Sequence, residues 1–103
     1  MAEIKKYTSR QEDLARVAKA LAHPARVAIV EFLAKRGACY FNEIEAAMPL
    51  SKATVSQHLS ELKDAGLVKA TPELPKIKYS VNPEAWAMAG MIYGAFFSRR
   101  LSK

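Results

Sequence analysis

With 103 residues and 50% hydrophobic content, the chain is the right length for one domain and has enough apolar material for a core. Sixteen Lys and Arg against ten Asp and Glu give a net charge of +6, which favours an acidic partner such as nucleic acid or an anionic membrane without choosing between them. Cys39 is the single cysteine, which excludes an internal disulfide or a clustered thiolate metal site within one subunit and points to a reducing cytoplasm.

The charge is unevenly spread: residues 1–36 carry +4, residues 37–66 carry −2 and residues 67–103 carry +4. Met1-Ala2-Glu3-Ile4-Lys5-Lys6-Tyr7 has no apolar stretch of the kind a secretory leader needs. The longest uncharged apolar run, Ala85 to Phe97, covers 13 residues and is too short to span a bilayer, so no membrane partner is expected.

Ser9-Arg10-Gln11-Glu12 fits a capping box and predicts a first helix, with Leu14, Val17, Ala18 and Leu21 on its apolar stripe. Pro24 disfavours helical geometry at His23 yet suits a first turn, so a second helix is predicted from Pro24 to Arg36. That helix is apolar on more than one side: Val27, Val30 and Leu33 face one way, and Ala28, Ile29 and Phe32 another. It belongs at the centre of the domain, and Gly37 ends it. A short third helix follows, with Phe41, Ile44, Ala47 and Met48 at helical spacing, and Pro49 closes it.

Ser51 is the predicted N-cap of a fourth helix whose inner stripe is Val55, Leu59 and Leu62, ending at Gly66. The third and fourth helices are separated by only about four residues, which makes a tight helix-turn-helix. The period then changes. Leu67 to Thr71 reads as a strand, Pro72-Glu73-Leu74-Pro75 as a turn, and Lys76 to Val81 as a second strand in which Ile77, Tyr79 and Val81 alternate with Lys76, Lys78 and Ser80. Asn82-Pro83-Glu84 supplies an N-cap, a first-turn proline and an acid suited to the dipole of a last helix running toward Arg99 and Arg100.

The expected fold class is therefore mainly α: a winged helix-turn-helix of about five helices with a two-stranded β-hairpin wing, occupying residues 1–103 as a single domain. At 100 degrees per residue, Leu59 and Leu62 fall within about 40 degrees of Val55, while Ala53, Ser56, Gln57 and Ser60 lie near the opposite side. A face of short polar side chains suits close approach to a major groove. Gln57 can pair with adenine, Thr54 and Ser56 can bond several bases, and Ala53 can meet a thymine methyl. Lys52, Lys63, Lys69, Lys76 and Lys78 are candidates for phosphate, which positions a protein without reading sequence. His58 lies about 60 degrees from the inner stripe, so contact with DNA and a packed, hydrogen-bonded imidazole are both open to it.

The last helix is apolar on two sides, with Trp86, Gly90, Tyr93, Phe97 and Leu101 on one and Met88, Ile92 and Phe96 on another. Pairing of Leu14, Trp86, Tyr93, Phe96 and Phe97 with the same surface of a second subunit would bury it, making a homodimer. No nucleophile elbow, glycine phosphate loop, metal triad or oriented pair of carboxylates is present, so no enzymatic role is expected.

Leu21 to Pro83, about 60% of the chain, resembles the ArsR/SmtB-type repressors. LAHPARVAIVEFL is similar to the family's opening around a His-Pro-x-Arg element, and LSKATVSQHLSELKDAGLV to its recognition helix and entry to the wing. The resemblance implies a homodimeric repressor that binds double-stranded DNA at an inverted-repeat operator. Ser51, Lys52, Ala53, Thr54, Ser56, Gln57 and His58 match the region that touches DNA. Family members that sense metal through a Cys-x-Cys before the third helix have counterparts here in Tyr40 and Asn42, with Cys39 one place off. The last helix, from Ala85 to Lys103, carries no Asp, His or Cys, and no metal or other cofactor is expected. Pro72 and Pro75 stand where the family's wing tip is rich in glycine and arginine, so an arginine contact to the minor groove is not expected there. Two alternatives remain at the level of sequence. One is a protein-interaction or membrane-surface module built on the apolar last helix, and the other is redox control through Cys39 joining subunits, although a buried apolar role suits that thiol better.

Overall fold

The computed structural model describes residues 6–102, so Met1 to Lys5 of the leader reading lie outside the described residues. The elements run α1 (Ser9–Ala20), α2 (Pro24–Arg36), β1 (Cys39–Tyr40), α3 (Phe41–Ala47), α4 (Lys52–Asp64), β2 (Val68–Glu73), β3 (Lys76–Val81) and α5 (Pro83–Phe97). The five helices follow the expected order. The expected two-stranded hairpin is present as β2 and β3, and β1 extends it to a three-stranded antiparallel sheet of order β1-β3-β2, because Cys39 and Tyr40 pair with Tyr79 and Lys78. Two residues ahead of a helix carry no alternation pattern, so this strand leaves no signature in the sequence.

Local chemistry sets most helix ends. The cap of α1 is Thr8 rather than Ser9: its hydroxyl accepts from the Gln11 amide at 3.0 Å, and Gln11 Oε1 accepts from the Thr8 amide at 2.9 Å. Thr8-x-x-Gln11 and Ser9-x-x-Glu12 are equally good boxes, and the fold uses the first. His23 caps α2 by accepting at Nδ1 from the Ala25 amide at 3.1 Å, and Asn82 caps α5 by accepting from the Glu84 and Ala85 amides.

One core joins these elements. Ile29, Val30 and Leu33 of α2 meet Ile44 of α3 and Val55, Leu59 and Leu62 of α4, with Cys39 and Val68 from the sheet, Leu67 just ahead of β2, and Val17 and Ala20 from α1. Burying side chains of this size contributes roughly 1.5–3 kcal/mol each before entropy is charged. Two expectations shift here. Val27 is exposed, so α2 is buried through Ile29, Val30 and Leu33. The inward stripe of α1 is Val17 and Ala20, which leaves Ala18 outside and Leu14 half-buried.

The hairpin register pairs Glu73 with Lys76, leaving Leu74-Pro75, joined by a cis peptide, as the connection. Pro72 therefore lies within β2 opposite Ile77 and not in a turn. It is tolerated because β2 is an edge strand, where a missing N–H costs no ladder bond.

Candidate nucleic-acid interface

α4 is clamped at both ends. Ser51 accepts from the Thr54 amide at 3.2 Å, and its hydroxyl lies 2.9 Å from that of Thr54. At the other end Leu67 N–H donates to Leu62 C=O at 3.1 Å and Gly66 N–H to Lys63 C=O at 2.9 Å, with Gly66 at φ +82°. This paired closure needs a left-handed residue between Ala65 and Leu67, which glycine supplies, and it sets the angle at which α4 leads into β2. Val55, Leu59 and Leu62 are buried beneath the helix, as the spacing predicts.

Lys52, Ala53, Thr54, Ser56, Gln57 and Lys63 are exposed, so the small polar face of α4 is presented outward. His58 is not part of it. The imidazole is only 6% exposed and accepts at Nδ1 from Arg26 Nε at 3.1 Å, with the His23 ring 4.5 Å away, centre to centre. The contact with DNA implied for His58 is therefore corrected: it is a packed residue of the inner side. Burial, then the neighbouring His23 and Arg26, push its pKa below the usual histidine value, with Glu61 opposing.

Cross-strand register places Lys69 opposite Ser80, Thr71 opposite Lys78 and Glu73 opposite Lys76, so all three wing lysines share one face. They are not equally free. Lys78 Nζ lies 3.3 Å from Glu73 Oε2 and 5.1 Å from the centre of the Tyr40 ring. Lys76 Nζ sits 5.0 Å from that same ring centre. Lys69 is exposed on β2, the strand that packs against α4. Tyr40 and Glu73 organise this face and were not singled out by sequence reasoning. The signal that could have found them is a lone acid on a lysine-rich strand face.

The acidic residues of the C-terminal half of α4, Glu61 and Asp64, line a cleft against α1 together with Arg16 and Lys19. Arg16 also donates to Ala65 C=O at 3.4 Å. On the far side of α1, Leu14, Ala15 and Ala18 face Tyr93, Phe96 and Phe97 across an apolar cleft of about 350 Å³. The Tyr93 hydroxyl donates to Leu14 C=O, joining the two helices. Phe97 is 76% and Trp86 49% exposed, so neither finds cover within the subunit.

Cys39 is 2% exposed, and burial followed by the charge of Glu43 raises its thiol pKa against the opposing pull of Arg36. Those conditions disfavour the thiolate that redox chemistry needs. Among the described residues no three His, Cys, Asp or Glu side chains gather as a metal site, and no helix is long and apolar enough to cross a membrane.

Residues 23–70 match the profile of bacterial regulatory proteins of the arsR family. The chain is 40% identical over 72 residues to the HTH-type transcriptional regulator CmtR of Mycobacterium tuberculosis, a match that covers 70% of this chain and spans only 60% of that relative's length. It is 38% identical over 71 residues to the transcriptional repressor PagR of Bacillus anthracis, covering 69% of this chain and 71% of PagR. Among solved structures it resembles a homodimeric winged helix-turn-helix DNA-binding domain from Mycobacterium bovis, with a TM-score of 0.71, 25% identity and full coverage of both chains.

Proposed function

The chain belongs to the arsR family of bacterial regulatory proteins, and from that premise we propose that it is a homodimeric transcriptional repressor that binds an inverted-repeat operator in duplex DNA. The observation that carries the reading is the outward face of α4, where Ala53, Ser56 and Gln57 stand clear of the core on a helix fixed at both ends. A helix of that kind enters a major groove with its N-terminal half, which here carries Lys52 and no acid.

In this reading Gln57, Ser56, Thr54 and Ala53 meet base edges, while Ser51, Lys52, Lys63, Lys69 and Lys76 meet phosphate. Lys78 adds less, because Glu73 holds it. Residues 1–103 act as one DNA-binding unit. Leu14, Trp86, Tyr93, Phe96 and Phe97 face the second subunit, since α1 and α5 leave an apolar surface that one subunit does not cover. Its site of action is the cytoplasm, where bacterial DNA lies.

Selection of bound sequences from random duplex, with the mass of the free protein measured alongside, tests this. The expected result is a two-fold symmetric consensus with half-sites about 34–36 Å apart and a dimer mass. A monomer that enriches no sequence overturns the proposal.

A further inference from the structure

The apolar contacts beneath α4 set how deeply the helix sits, but they are non-directional and tolerate rotation about its axis. At its C-terminal end Arg16 donates to Ala65 C=O, and in the middle of the helix the directional inner contact is His58. Nδ1 accepts from Arg26, which leaves the proton of the neutral ring on Nε2. Nε2 is buried and has no hydrogen-bond partner among the described residues. Core packing does not account for such a residue, since a leucine here would fill the space without stranding a polar atom.

Arg26 has a second task. Its Nη1 donates at 3.2 Å to Lys19 C=O in the last turn of α1, a carbonyl that also accepts from the Ala22 amide at 3.3 Å. The guanidinium therefore joins the end of α1, the start of α2 and the middle of α4 at one point, with the His23 ring packed beside it on His58. Gln57 immediately precedes His58 on α4, so any rotation at His58 is carried directly to the outward face.

We propose that Arg26 and His58 are positioning residues for DNA recognition: their hydrogen bond fixes the rotation of α4 relative to α1, and so aims Gln57 and Ser56 relative to the second subunit. The proposal rests on the regulator reading above and adds to it a residue pair that touches no DNA. Losing the pair misaims the base-reading face while leaving the lysine contacts to phosphate in place.

The test measures affinity for the selected operator and for random duplex in Arg26→Ala, His58→Leu, His58→Asn and their parent, with thermal midpoints recorded. Arg26→Ala and His58→Leu are expected to lose about tenfold or more on the operator and less than about twofold on random duplex, and the double variant to be no worse than either single one. His58→Asn, whose Oδ1 can accept from Arg26 in place of Nδ1, is expected to recover operator binding to within about threefold. Should Arg26→Ala or His58→Leu fail to fold, Arg26→Lys supplies the same readout, because it keeps the charge but cannot hold both acceptors in one planar fork. Equal losses on operator and random duplex, unchanged operator binding, or an Asn variant no better than Leu would each overturn the proposal. Failure of the parent to bind any duplex would instead remove the regulator reading itself.

Discussion

The Tyr40 hydroxyl donates to Glu73 Oε1 at 2.6 Å, joining β1 to the end of β2 across 33 residues of sequence. The other carboxylate oxygen holds Lys78 at 3.3 Å. The Tyr40 hydrogen bond and then that of Lys78 hold the Glu73 carboxyl below its usual range, an acid set among Lys69, Lys76 and Lys78 on the same face. The wing thus carries its own neutralising charge.

Removing that charge should strengthen binding to DNA of any sequence. Glu73→Gln frees Lys78 for phosphate and is expected to steepen the fall of affinity with salt by about one ion per subunit, with little change in sequence preference. Titrations of a random duplex at several salt concentrations measure it. An unchanged slope would mean that the face bearing Lys76 and Lys78 does not approach the backbone.

Gln57 stands outward on the same helix turn as the inward Leu59, so truncating it leaves the core intact. Gln57→Ala is expected to lose about 1–3 kcal/mol at one base pair of each half-site and to relax the preference there. Lys69→Ala, by contrast, should weaken all sequences alike. Affinities for a set of operators substituted one base at a time separate the two effects.

Phe97 is 76% exposed in the subunit, and its ring stacks edge-on against Phe96 at 5.0 Å between centres. Phe97→Glu is expected to leave the thermal stability of the subunit nearly unchanged while placing a charge in the apolar surface of α1 and α5. Sedimentation should then report half the parent mass, with operator affinity lost in step. Retention of the dimer would place the subunit contact elsewhere.

The lowered pKa of His58 makes stability depend on pH in a defined direction. Burial, His23 and Arg26 favour the neutral ring in the fold, with Glu61 opposing them, so the unfolded chain takes up the proton first as pH falls. The contribution of His58 is therefore complete above its ordinary value of 6.5 and declines progressively below it, down to the folded value. Protonation also places a hydrogen on Nδ1, where Arg26 donates. The thermal midpoint of the parent should fall more steeply with acid than that of His58→Asn, and parallel curves would contradict this.

Much of the fold was legible because it is written in local chemistry. Pro24 and Pro83 open α2 and α5, Gly37 and Gly66 supply the positive φ that follows α2 and α4, and the spacing of Val55, Leu59 and Leu62 places one face of α4 inward. The outward face that carries the functional reading follows from the same periodicity. Residues a few positions apart interact through geometry that the helix itself imposes, so no knowledge of the rest of the chain is needed.

What tertiary structure alone decided lies between distant residues. The pairing of Cys39 with Tyr79 and the bond from Tyr40 to Glu73 each turn on which partner the fold brings within reach. His58 is the clearest case. Its position on the helix left both inward and outward roles open, and Arg26, 32 residues earlier, settles the matter by bringing it a donor. Periodicity assigns a residue to a face, but a polar side chain at the boundary of that face goes where the folded chain offers a hydrogen bond.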